Sequence, residues 1–208
     1  MSALVTPRLL FLHVPKTGGT WVQVALKAAG VRGETIWTRL GPGSRGHATL
    51  VEARAFTDRF TFAFVRHPLD LYRSRWAGAM RDGWPENRML HGMRSDDFPT
   101  FVRQVIERHP GFLTKRFEDF TGPRNAPISF VGRYESLVDD LVRALKQAGE
   151  EFDESALRAH SPANRNDYTK HQAHYDRALA EQVIESEHGA IQRWYAGDPL
   201  PARFVRQP

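Results

Sequence analysis

Apolar residues gather in three short runs, and each run ends on glycine, proline or charge. Arg8 to Val14, closed by Pro15, then Phe60 to Val65, and Ile128 to Val131 read as buried strands. A helical pattern follows each one. Trp21, Val22, Ala25, Leu26 and Ala29 keep one face until Gly30 stops the helix. Pro68 stands where a second helix starts, and Leu69 to Met80 continue it. Leu137, Val138, Leu141, Val142 and Leu145 form the stripe of a third helix within Glu135 to Ala148. Two further helices are predicted. Phe98 to Arg108 is capped by Ser95, Asp96 or Asp97 and ends before Pro110, and Asp176 to Tyr195 is the last. Residues 47–55 suit a short turn or helix. Residues 41–46, 83–97, 111–127 and 161–174 read as loops. Strands alternating with helices predict an α/β sandwich with a mostly parallel central sheet flanked by helices. There are no repeats and no linker, so residues 1–208 read as one domain.

Between the first strand and the first helix lies Pro15-Lys16-Thr17-Gly18-Gly19-Thr20. At such a junction the free backbone N–H groups and the helix dipole both face an incoming anion. Gly18 and Gly19 allow close backbone approach, Lys16 adds a mobile positive charge, and Thr17 and Thr20 add hydroxyls. The G-x-x-x-x-G-K-[ST] order of a Walker loop is absent. Taken alone, the hexapeptide also suits a plain strand-to-helix turn with an exposed lysine.

Arg66 follows the second strand directly, and Ser74 lies eight residues on, about two helical turns from the strand end. A guanidinium fork and a hydroxyl placed so can grip one phosphate. A surface arginine and an unrelated helix serine are the plainer alternative.

Phe11 to Thr20 (FLHVPKTGGT) resembles the 5′-phosphosulfate loop of sulfotransferases that use 3′-phosphoadenosine 5′-phosphosulfate (PAPS), nearest to their carbohydrate, uronyl O-sulfotransferase branch. Phe64 to Ser74 (FVRHPLDLYRS) resembles the 3′-phosphate motif of the same family, with Arg66 and Ser74 in its binding positions. Phe130 to Leu137 (FVGRYESL) resembles a further family segment, a strand entering a helix. The three occur in family order and span most of the chain. The resemblance implies a P-loop-like three-layer fold, PAPS as donor and adenosine 3′,5′-bisphosphate as product. It also implies a late basic loop on the 3′-phosphate, for which Arg165 and Lys170 are the candidates, a solvated loop being the alternative. Two departures stand out. The chain is short for the family, implying reduced acceptor-binding insertions, and His67 replaces a common aspartate.

Sulfuryl transfer needs the leaving phosphate neutralised and the acceptor hydroxyl deprotonated. Lys16 suits the first task, and the resemblance assigns it the same role. For the second, His47 follows a glycine-rich loop, and imidazole titrates near neutrality. Residues 46–50 also resemble the segment carrying the uronyl branch's catalytic histidine, while a surface-loop histidine is the alternative. His13, inside the first strand, reads as structural. His91 and Glu86 are candidates to face the acceptor. Glu135 suits either orienting a neighbour or solvation at a helix start. Trp21 is a candidate for stacking on adenine, although its place on the apolar helix face favours core packing.

Composition narrows the rest. Apolar residues make up 41% and charged residues 25%, which argues against disorder. The net charge of +5 suits an anionic ligand but also an ordinary basic protein. With no cysteine, thiolate nucleophiles and Cys-based zinc sites are excluded. No acidic cluster or H-E-x-x-H motif suggests a metal. No nucleic-acid motif, secretory signal or membrane-length apolar run is present, which makes the cytoplasm the default location. The favoured function is sulfuryl transfer from PAPS to a hydroxyl of a carbohydrate or other small acceptor. The alternatives are a P-loop-type nucleotide kinase and a non-catalytic basic anion-binding module.

Overall fold

A computed structural model describes residues 3–41, 44–86, 90–126, 128–160 and 173–198. In chain order its elements are β1 (Ala3–Val5), β2 (Leu9–Leu12), α1 (Gly19–Ala28), β3 (Glu34–Ile36), β4 (Thr38–Gly41), β5 (Ser44–Gly46), β6 (Phe60–Val65), α2 (Pro68–Asp82), α3 (Phe98–Arg108), α4 (Phe112–Thr121), β7 (Phe130–Arg133), α5 (Leu137–Gln147), α6 (Glu154–Ala159), α7 (Arg177–Ser186) and α8 (His188–Trp194). The chain divides into two compact units, Met1–Arg66 with Arg116–Ala163, and His67–Lys115 with Asn164–Pro208. Each unit joins two separated stretches, so the division leaves no linker for the sequence to show.

The first unit is α/β. Its five-stranded sheet runs β3-β1-β2-β6-β7. β2, β6 and β7 are mutually parallel, whereas β1 is antiparallel to both β2 and β3. The sheet is therefore mixed, where a mostly parallel one was predicted. The reason is the three-residue connection between β1 and β2, too short for a parallel crossover. Thr6 closes it: its amide donates to Leu9 O at 2.9 Å, and its Oγ1 accepts from the Arg8 and Leu9 amides at 3.1 Å each.

Apolar faces converge on this sheet. Trp21, Val22, Ala25 and Leu26 from α1, Leu141, Val142 and Leu145 from α5, and Leu157 from α6 pack with Leu9, Phe11, Phe62 and Phe64. Full burial of one such side chain contributes about 1.5–3 kcal/mol. Thr61 to Val65 are all buried, as expected of a central parallel strand covered on both faces. Asp140 fixes α5 to the end of β7, accepting the Arg133 amide at 2.7 Å.

Gly41 and Ser44–Gly46, in a stretch that reads as loop, belong to the β4–β5 hairpin. Glu52 ties its base together, accepting from the Thr38 hydroxyl and from the Thr49 amide and hydroxyl. Slight burial works against ionisation of Glu52, but these hydrogen bonds win and hold its carboxyl below the usual range. A depressed folded-state value stabilises above the ordinary glutamate pKa and is lost as pH falls through the folded one. Glu52→Gln is thus expected to lower the melting temperature at neutral pH by at most about 2 °C, since the group is well exposed. The gap to wild type should close below about pH 4. Melting curves across that range check it, and a pH-independent gap contradicts it.

The second unit is helical. Pro68 opens α2 as predicted, and the capping acceptor is His67, whose Nδ1 receives the Leu69 amide at 3.3 Å. The imidazole nitrogen thus does the capping work of an aspartate oxygen at this position. Asp97 is the cap of α3, accepting from the Thr100 amide at 2.9 Å. The last predicted helix is split into α7 and α8 at Glu187, which is wholly buried. Its carboxylate accepts from Tyr72 Oη at 2.7 Å, the Leu113 and Thr114 amides at 3.1 and 2.8 Å, and Thr114 Oγ1 at 2.9 Å. Burial first, and the Glu187 charge second, push the Tyr72 hydroxyl well above its ordinary range. The helix α4 lies in a stretch that the sequence predicts to be loop-rich. Its first-turn amides are capped by Glu187 from far along the chain, so no local signal announces it. Among the described residues no helix is long and apolar enough to cross a membrane.

Candidate functional site

Three parallel strands lie side by side in the first unit, in register Leu12↔Ala63 and Val65↔Arg133. Their carboxyl ends therefore open in one direction, and the segments leaving them are neighbours, the usual place for ligands on such sheets. β2 feeds His13 to Thr20, β6 feeds Arg66 and β7 feeds Tyr134.

The loop after β2 is bent by two left-handed residues, Gly18 at φ +86° and, unusually for a side chain, Lys16 at φ +72°. An L-residue held there costs about 1–2 kcal/mol. Thr17 is buried and donates its hydroxyl to Val14 O at 2.9 Å, so that hydroxyl braces the loop. At Gly18 an added Cβ would fall 2.6 Å from Leu137 Cδ2, and at Gly19 2.0 Å from His13 Cδ2. Both positions exclude a side chain. α1 then begins with no side-chain cap and no acidic residue in its first turn, which leaves its positive end undiminished. Thr20 is exposed in that turn.

Arg66 joins this loop. It is 6% exposed, and its Nη1 donates to Lys16 O at 3.3 Å. Its guanidinium lies 4.0 Å from the centroid of the Tyr134 ring, and the same ring lies against Gly18. Tyr134 is thus a plate touched by both phosphate-binding candidates. In the sequence it lies within the FVGRYESL segment, with no role of its own. An aromatic residue directly after a strand that parallels the other two was the available signal.

His47 leaves β5 half-buried, its ring centroid 4.5 Å from that of His13 in an edge-to-face contact. Leu50, three residues on, is fixed through its amide to Asp119 O at 3.0 Å. The structure therefore gathers Lys16, Gly18, Gly19, Arg66, His13 and His47 in one unit.

Other candidates are placed elsewhere. Trp21 is 4% exposed in the core, and its Nε1 donates to His160 O at 3.1 Å, which fits packing rather than adenine stacking. Ser74 is buried in α2 of the second unit, so the predicted Arg66–Ser74 pair is divided between units. In that unit His91 Nδ1 sits 2.9 Å from Trp84 O, and Glu86 is exposed. Glu135 is exposed after β7. Arg165 and Lys170 lie outside the described residues. No family model, curated protein or solved structure gives a significant match to this chain.

Proposed function

We propose that this chain is a PAPS-dependent sulfotransferase acting on a hydroxyl of a carbohydrate or other small acceptor, with the P-loop-like three-layer fold of that family. The observation that carries the proposal is the hydrogen bond from Arg66 to the Lys16 carbonyl. It joins two segments fifty residues apart that separately resemble the two phosphate-binding motifs of one nucleotide. In this reading the loop amides and Lys16 take the 5′-phosphosulfate and Arg66 takes the 3′-phosphate. Ser74, Arg165 and Lys170 are further ligands by resemblance.

The reaction would run in line. The acceptor oxygen bonds to sulfur as the bond from sulfur to the 5′-phosphate oxygen breaks. The electron pair of that bond stays on the phosphate, where Lys16 offsets the growing charge. The hydroxyl proton passes to the His47 imidazole. Products are the sulfate ester and adenosine 3′,5′-bisphosphate, and no metal is invoked.

A thermal-shift comparison tests the donor class. Adenosine 3′,5′-bisphosphate at 100 times its Kd is expected to add about 2.7 kcal/mol of stability, while ATP and GTP at the same concentration add far less. An equal or larger shift with ATP would favour a kinase. No selectivity, with affinity collapsing in salt, would favour a basic binding module.

A further inference from the structure

We infer that His13 is a positioning residue that seats the base His47 against the donor loop; the inference rests on the sulfuryl-transfer reading above. His13 leaves the end of β2 and is 6% exposed. Three contacts locate its ring. Phe11, part of the sheet core, stacks on it with centroids 6.2 Å apart and planes 15° apart. Gly19 lies so close that a Cβ there would reach within 2.0–2.5 Å of three ring atoms. His47 meets it edge to face at 4.5 Å.

These contacts form a chain of rigid pieces. The core fixes Phe11, Phe11 supports His13, and His13 bears on the first residue of α1 on one side and on His47 on the other. The distance between the amides that hold the donor and the imidazole that takes the proton is therefore set through one buried five-membered ring. In-line transfer is sensitive to such distances, and a misplacement of about 1 Å costs on the order of a hundredfold in rate. His13 touches neither donor nor acceptor in this scheme and acts through His47.

A double-mutant cycle on the full chain tests it, reading release of adenosine 3′,5′-bisphosphate from PAPS. His13→Ala is expected to lower kcat by about tenfold or more, with affinity for adenosine 3′,5′-bisphosphate changed by less than about twofold. In a His47→Ala background the same change should cause no further loss, because the group it positions is gone. Added imidazole should rescue His47→Ala and not His13→Ala. Should His13→Ala fail to fold, His13→Asn, smaller and still polar, takes its place under the same expectations. Undiminished kcat overturns the inference. So does a loss that multiplies with that of His47→Ala, or one matched by an equal loss of bisphosphate affinity, since each marks a role in the loop or fold alone. Wild-type turnover in His47→Ala would instead remove the base assignment itself, and this inference with it.

Discussion

Lys16→Ala is expected to cut PAPS turnover by about a hundredfold or more, the usual effect of removing a group that meets charge developing on a leaving oxygen. Release of adenosine 3′,5′-bisphosphate over a panel of hydroxylated acceptors measures it, and an undiminished rate removes Lys16 from the mechanism. Backbone geometry adds a second expectation. Lys16 stands at φ +72°, where glycine is at ease and alanine is strained. Lys16→Gly should therefore melt above Lys16→Ala by about 2–4 °C, equivalent to roughly 1 kcal/mol in a chain of this size, while both lose activity. At ordinary positions the order of glycine and alanine is the reverse.

Arg66→Ala carries the next largest effect. The side chain is 6% exposed, donates to Lys16 O and stacks on Tyr134. Truncating a desolvated, hydrogen-bonded charge at a binding site costs about 2–5 kcal/mol. Affinity for adenosine 3′,5′-bisphosphate should thus fall at least tenfold. Arg66→Lys should recover only part of it, because an ammonium keeps the charge but loses the planar fork and its stack on the ring. Calorimetry checks both, and unchanged affinity in Arg66→Ala would count against the 3′-phosphate assignment.

How far the sequence disclosed the molecule depended on range. Features fixed by a few neighbouring residues were legible: the strands β2, β6 and β7, the proline that opens α2, the glycine that stops α1. Features fixed by distant partners were not. The helix α4 takes its cap from Glu187, more than seventy residues away. β1 is three residues long and is defined only by the strands on either side of it. The hairpin before His47 is held by Glu52 through Thr38 and Thr49 rather than by any apolar run.

The site divides in the same way. Lys16, Gly18, Gly19, Arg66 and His47 stood out by type and spacing. The assembly of the first four followed from the parallel register of β2, β6 and β7, which no local pattern states, whereas His47 reaches His13 from the end of β5. The left-handed backbone at Lys16, the Tyr134 plate and the His13–His47 contact are properties of that assembly. His67 shows the opposite case. Its identity departs from the motif that this segment resembles, yet its Nδ1 supplies the hydrogen bond that an aspartate would.

Calorimetric titration of the wild-type chain with adenosine 3′,5′-bisphosphate and with adenosine 5′-monophosphate bears most directly on the proposal that one site holds both phosphate ends of one nucleotide. The bisphosphate should bind roughly a hundredfold more tightly, the worth of a charge-assisted contact to the added phosphate. Equal affinity for the two, or no binding of either, would contradict the proposal.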